Sequence, residues 1–214
     1  VRIMAYTSID DPSAHFQVKK WTGNAGTNAI TLDGNSNMQP DFMWHKEQND
    51  TNGWHQFDSS RGVTKYLAIN GNAAEGTFSG YLSSFDSNGF TAGSGDSSMN
   101  SSGTAQCSWM WHCNSGTTSS NTDGYLTSTV QANTDAGFSI VTFTTDGSTR
   151  TVGHGLGVKP DIVLVKSRNV TGDWLFITDV IDGTMDYGKL NGGNAFASIG
   201  YNAPTSTVFE YNDN

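Results

Sequence analysis

The chain has 214 residues, enough to bury a core in one large domain or two small ones. Gly, Ser, Thr and Asn supply 93 of them, against eight Leu and three Glu, which argues against a helical bundle, a coiled coil or a Rossmann-type α/β domain. A net charge of −9, with 11 scattered Lys and Arg, argues against a nucleic-acid partner, and no apolar run approaches the ~18–20 residues of a membrane span.

Val1-Arg2-Ile3-Met4 opens the chain without the apolar stretch of a signal peptide, and reads as an alternative start or an upstream piece. Phe42–Lys46 and Trp54–Phe57, joined by a loop at Glu47–Gly53, are expected to form a hairpin. In Gln106–Cys113 the strand period puts Cys107, Trp109, Trp111 and Cys113 on one face, expected to be the buried one, with Ser108, Met110 and His112 on the other. The two cysteines are six positions apart, about 20 Å if extended, beyond disulfide reach. They read as free buried thiols. Asn114–Gly124 has the composition of a linker. Phe138–Phe143 is apolar and β-branched, and Thr145–Ser148 turns it. Ile162–Val165 lacks alternation, so it is expected to be covered on both faces. Asn169–Asp173 then turns into Trp174–Ile177.

The chain repeats itself. Pro40-Asp41-Phe42-Met43-Trp44-His45-Lys46 reads against Pro160-Asp161-Ile162-Val163-Leu164-Val165-Lys166, and the offset of 120 also carries Trp54 to Trp174. One residue later Gly62 matches Gly183, Tyr66 matches Tyr187 and Asn70-Gly71 matches Asn191-Gly192. Upstream, Phe16 matches Phe138. The repeat positions Pro40, Lys46, Trp54, Tyr66, Pro160, Lys166, Trp174 and Tyr187 therefore read as structural. The expected organisation is a first β-sandwich over 1–114 with an N-terminal arm, a Ser/Thr/Asn linker over 115–124, and a second β-sandwich over 125–214. The second copy lacks a counterpart of Gln106–Cys113, so it is expected to be short of its last strand. Either the natural chain is longer or a neighbour supplies a strand to the open edge.

Gly153-His-Gly-Leu-Gly-Val-Lys-Pro-Asp-Ile-Val-Leu-Val-Lys166 followed by Trp174, together with Thr127–Val141, resembles a β-sandwich repeat of structural proteins of marine tailed phages, cyanophages especially. Ile9–Phe16 resembles the opening of such proteins. The resemblance covers nearly the whole chain. It implies a concanavalin-like sandwich and a virion-surface role as tail fibre, appendage or capsid decoration, and it carries no catalytic residues. The first copy has Asp33–Asn37 where the second has the Gly-His-Gly-Leu-Gly stretch.

Glu47, Glu75 and Glu210 are isolated, and no strand carries acids at alternate positions, so the paired carboxylates of a glycosidase are not legible. Asp41 and Asp161 follow prolines and read as strand-start residues. His45 and His55 could face each other as a metal pair, but the second copy has Val165 and Leu175 there. His154 reads as a loop feature. Of the ions, calcium would suit the oxygen-rich loops Asp33–Asn37, Asp86–Asn88 and Asp146–Ser148, yet none of these fits the twelve-residue calcium loop. No cofactor is expected. The expected function is a non-enzymatic structural protein in a multi-copy virion assembly, homo-oligomeric and bound to other virion proteins. The alternative is a lectin-like module for host surface glycans, for which Trp44, Trp54, Trp109 and Trp111 qualify by type.

Overall fold

A computed structural model describes residues 9–95 and 97–212. Val1–Met4 and the chain end at Asn214 lie outside the described residues. The first half contains β1 (Phe16–Thr22), β2 (Asn28–Thr31), β3 (Phe42–Glu47), β4 (His55–Asp58), β5 (Lys65–Ala68), β6 (Gly76–Thr77), β7 (Leu82–Asp86), β8 (Gly89–Ala92), α1 (Ser97–Asn100) and β9 (Ala105–Trp111). The second contains β10 (Ser119–Asn121), β11 (Ser128–Asn133), β12 (Phe138–Phe143), β13 (Arg150–Gly153), β14 (Ile162–Val165), β15 (Leu175–Thr178), β16 (Asp186–Lys189), β17 (Ala197–Ser198) and β18 (Val208–Tyr211). The fold is all-β, and every strand ladder is antiparallel.

In the first half a six-stranded sheet, ordered β1-β9-β3-β4-β5-β6, faces a three-stranded sheet, β2-β8-β7. Met43, Phe57, Phe90, Met99 and Met110, all fully buried, fill the space between them. Each such side chain stabilises the fold by roughly 1.5–3 kcal/mol. In the second half β14-β15-β16-β17 and β13-β18 enclose a separate core of Val152, Val165, Ile177, Met185, Phe209 and Tyr211. The ladders β3-β4-β5-β6 and β2-β8 thus recur as β14-β15-β16-β17 and β13-β18. Trp21 meets Phe90 at 5.3 Å and Phe143 meets Phe209 at 6.0 Å, so β12 stands where β1 stands. Position β9 has no such match. Among the described strands β14 pairs with β15 alone, and β12 pairs only with β11.

The repeated residues perform repeated backbone tasks. Gly62 and Gly183 turn the chain at φ 87° and 91°, a region that favours glycine. The backbone N–H of Trp54 donates to Asn70 Oδ1 at 2.9 Å, and that of Trp174 to Asn191 Oδ1 at 2.8 Å. Lys46 and Lys166 each donate to the carbonyl of the next residue, Glu47 at 2.6 Å and Ser167 at 2.7 Å. Tyr66 packs against the first core and Tyr187 against the second. Pro40 is buried and Pro160 half-buried, each two residues before its strand.

Three expectations are corrected. The segment 115–124 carries β10, hydrogen-bonded to β11, so it is part of a sheet and not a free tether. Met110, Ser108 and Gln106 pair with Met43, His45 and Glu47 and face the core, so Cys107, Trp109 and Trp111 point to the outer face. Gln106 and Ser108 are polar yet face inward, where they are hydrogen-bonded to Thr104 Oγ1 at 2.7 Å and His45 at 3.1 Å, so the apolar parity of this strand does not mark its covered face. Ile162–Val165 is covered on one face only: Val165 is buried, whereas Ile162 is 49% exposed.

Candidate functional site

The titratable clusters that chemistry would need are occupied by structural bonds. His45 is fully buried. It shares a hydrogen bond with Ser108 Oγ at 3.1 Å and lies 3.2 Å from the Ser98 carbonyl. Burial drives its pKa down to about 3, so it is neutral at pH 7. His55 is its cross-strand partner, as the hairpin reading anticipated, and lies 3.3 Å from the Tyr81 hydroxyl. Among the described residues no group of three or more His, Cys, Asp or Glu is placed to hold a metal ion.

Asp41, fully buried, accepts from Ser59 Oγ at 2.7 Å and from the backbone N–H groups of Cys113, Ser115 and Gly116 at 2.8–3.0 Å. His112 pairs with it at 3.1 Å. Burial alone would raise its pKa, but the bonds from His112, Ser59 and Cys113 outweigh that and hold it below the usual carboxylate range. The same pairing raises His112. Asp41 therefore anchors the strand-to-hairpin connection. Asp161 has no such role: its carbonyl accepts from Thr178 Oγ1 at 2.7 Å.

Glu47 is buried and accepts from Asn52 at 2.6 Å, and Glu210 accepts twice from Asn202. In the oxygen-rich loops Asp33 is paired with Lys19, Asp86 with the Thr91 hydroxyl and Asp146 with Arg150. His154 is buried, bonded between the Thr205 carbonyl and the Leu156 N–H, and burial lowers its pKa. Cys107 and Cys113 are free and buried, and burial raises both thiols.

Part of what the outer sheet faces present to solvent is apolar. On the outer face of the six-stranded sheet Trp44 and Trp109 are cross-strand neighbours, and Trp54 meets Trp109 at 5.3 Å. Trp44 Nε1 is buried with no partner among the described residues. Phe16 and Val18 stand beside them on β1, 39% and 43% exposed. On the second half Ile162 and Phe196 are 49% and 47% exposed, and Phe196 meets Phe176 edge-on at 5.8 Å. The residue types of Trp44, Trp54 and Trp109 were legible in the sequence. Phe16, Val18, Ile162 and Phe196 were not singled out, although Ile162 lies in the strand whose missing alternation demanded a second cover.

Part of this outer surface is already used. Phe138 of β12 lies 5.5 Å from Phe42 and stacks on Trp111 at 5.8 Å. Trp174 is buried and donates its indole N–H to the Ala68 carbonyl at 2.8 Å. Arg168 holds Glu75 through two bonds, at 2.8 and 3.0 Å, and Arg61 adds a third at 3.0 Å. These bonds hold Glu75 below the usual carboxylate range although burial opposes them. Backbone bonds Glu75 N–H to Arg168 O and Gly172 N–H to Asn72 O complete the junction. The two halves thus join through aromatic outer faces, loop 166–174 and one ion-pair cluster, a cluster the isolated glutamate did not reveal in the sequence.

No curated protein and no solved structure matches the chain. Residues 11–214 match a domain of unknown function, DUF7483, and the chain belongs to that family.

Proposed function

We propose that the chain is a non-enzymatic structural module that works through protein–protein contacts in a multi-copy assembly, on the surface of a phage particle. The observation that carries the reading is the outer aromatic surface. One stretch of it already joins the two halves, while Phe16 and Val18 on the first half and Ile162 and Phe196 on the second stay exposed. Exposed apolar patches of this kind mark interaction sites. The buried acids and histidines support the same reading, because each is tied into the fold. Placement on a virion rests on the sequence resemblance. The test is quantitative mass spectrometry of purified particles with antibody labelling in the electron microscope. A stoichiometric, surface-labelled chain is expected, and its absence from particles would overturn the placement.

A second reading has its own observation. Trp54 lies at 31° to Trp109 with ring centroids 5.3 Å apart, an aromatic surface of the kind a lectin-like glycan site stacks a sugar on. A glycan array with Trp109→Ala as control decides it: signal lost in the variant supports glycan binding, and a blank array removes it.

A further inference from the structure

We propose that the contact joining the two halves is repeated between copies of the chain, with β1 of a second copy laid on the outer face of β14. This rests on the assembly reading and names the partner and the surfaces.

Inside the chain Phe138 of β12 packs on Phe42 of β3 and stacks on Trp111 of β9. Of that receiving surface only the β3 half recurs among the described strands of the second half. β12 occupies the place of β1, and β14 that of β3. The counterpart of the docking residue Phe138 is therefore Phe16, and the counterpart of the receiving residue Phe42 is Ile162. Phe16 packs against Trp111 at 4.8 Å yet keeps 39% exposure, and Ile162 keeps 49%. A second pair follows the same rule. Trp174 is seated on the Ala68 carbonyl, 4% exposed. Its counterpart Trp54 is only half-buried, and Ala68 corresponds by register to Lys189, which Leu190 and Phe196 flank at 38% and 47% exposure. Phe138 and Phe42 are half-buried where the halves meet, whereas Phe16 and Ile162 are exposed. A docking face and a different receiving face on one chain make a heterologous contact, which repeats head to tail.

The ion pair is not repeated. Arg168 corresponds to Gln48, and Glu75 to Phe196. The contact between copies is therefore apolar, weaker than the internal one and insensitive to salt.

Sedimentation velocity of the 214-residue chain over a concentration series tests this, with Phe16→Lys and Ile162→Lys as variants and circular dichroism to verify folding. Both positions are exposed, so the fold is expected to survive; Val18→Lys and Phe196→Lys replace any variant that unfolds. The wild type is expected to associate beyond dimers, equally in low and high salt. Each variant alone is expected to be monomeric, and their equimolar mixture dimeric, because each retains the surface the other lost. A monomeric wild type, a variant that associates like wild type, or a mixture that stays monomeric would overturn the proposal. None of these outcomes bears on whether the chain is found on particles, so the two readings fail separately.

Discussion

The same ladder order encloses two different cores. In the first half β9 is hydrogen-bonded between β1 and β3, and Met43 and His45 on β3 beside it are fully buried. In the second half no described strand pairs with the other edge of β14, and Val163 and Phe143 are only half-buried. The side chains differ in kind as well. β9 brings Ser108 to a polar partner, His45, whereas the corresponding position on β14 is Val165. A repeated turn grammar therefore does not guarantee a repeated interior: strand-end bonds are local, but core burial depends on which strands lie alongside.

The largest expected contrast is in core truncation. Met43→Ala should cost about 4 kcal/mol, and Val163→Ala about 1 kcal/mol, because a half-buried site loses less burial and leaves less of a cavity. Urea denaturation reads both, and equal losses would erase the distinction between the halves. Next is the anchor that ties the first sheet to the hairpin. Asp41→Ala should cost about 3 kcal/mol by leaving the donors of 113–116 unpaired, a loss that Asp161→Ala should not reproduce.

The pH response should also be one-sided. His45 is neutral in the fold, with its pKa depressed to about 3 from 6.5. Its contribution is complete above pH 6.5 and is lost as pH falls towards 3. At about 1.4 kcal/mol per pH unit, stability should fall by on the order of 2 kcal/mol between about pH 6.5 and 5, and His45→Gln should flatten that slope. His112 acts in the opposite direction: its raised pKa gives stability that is present at low pH and lost as pH rises through it. The junction should respond less than the anchor or the His45 slope. Glu75→Gln should cost about 1.5 kcal/mol and speed amide exchange at Gly172, whose N–H crosses the junction, while Gly89 is unchanged.

Much of the fold was legible because turn chemistry is local. Gly62 and Gly183, or Asn70 and Asn191, declare a backbone need in their own residue type. The outer face was harder. In Gln106–Cys113 the apolar parity, with Trp109 and Trp111, points outward, while Gln106, Ser108 and Met110 face the core, so hydrophobicity alone selects the wrong face. The junction was not legible, since Arg168 and Glu75 are 93 positions apart and neither lies in a recurring motif. The lack of alternation in Ile162–Val165 predicts a strand covered twice, and the structure leaves Ile162 on its outer face 49% exposed. That mismatch is what points to a partner.

Site-directed cross-linking tests the central claim most directly. Phe16→Cys and Ile162→Cys variants would be mixed under mild oxidation, with native Cys107 and Cys113 buried and silent. The account predicts a disulfide-linked dimer that forms in the mixture and in neither variant alone. A dimer formed by either variant alone, or none in the mixture at concentrations where the wild type associates, would contradict it.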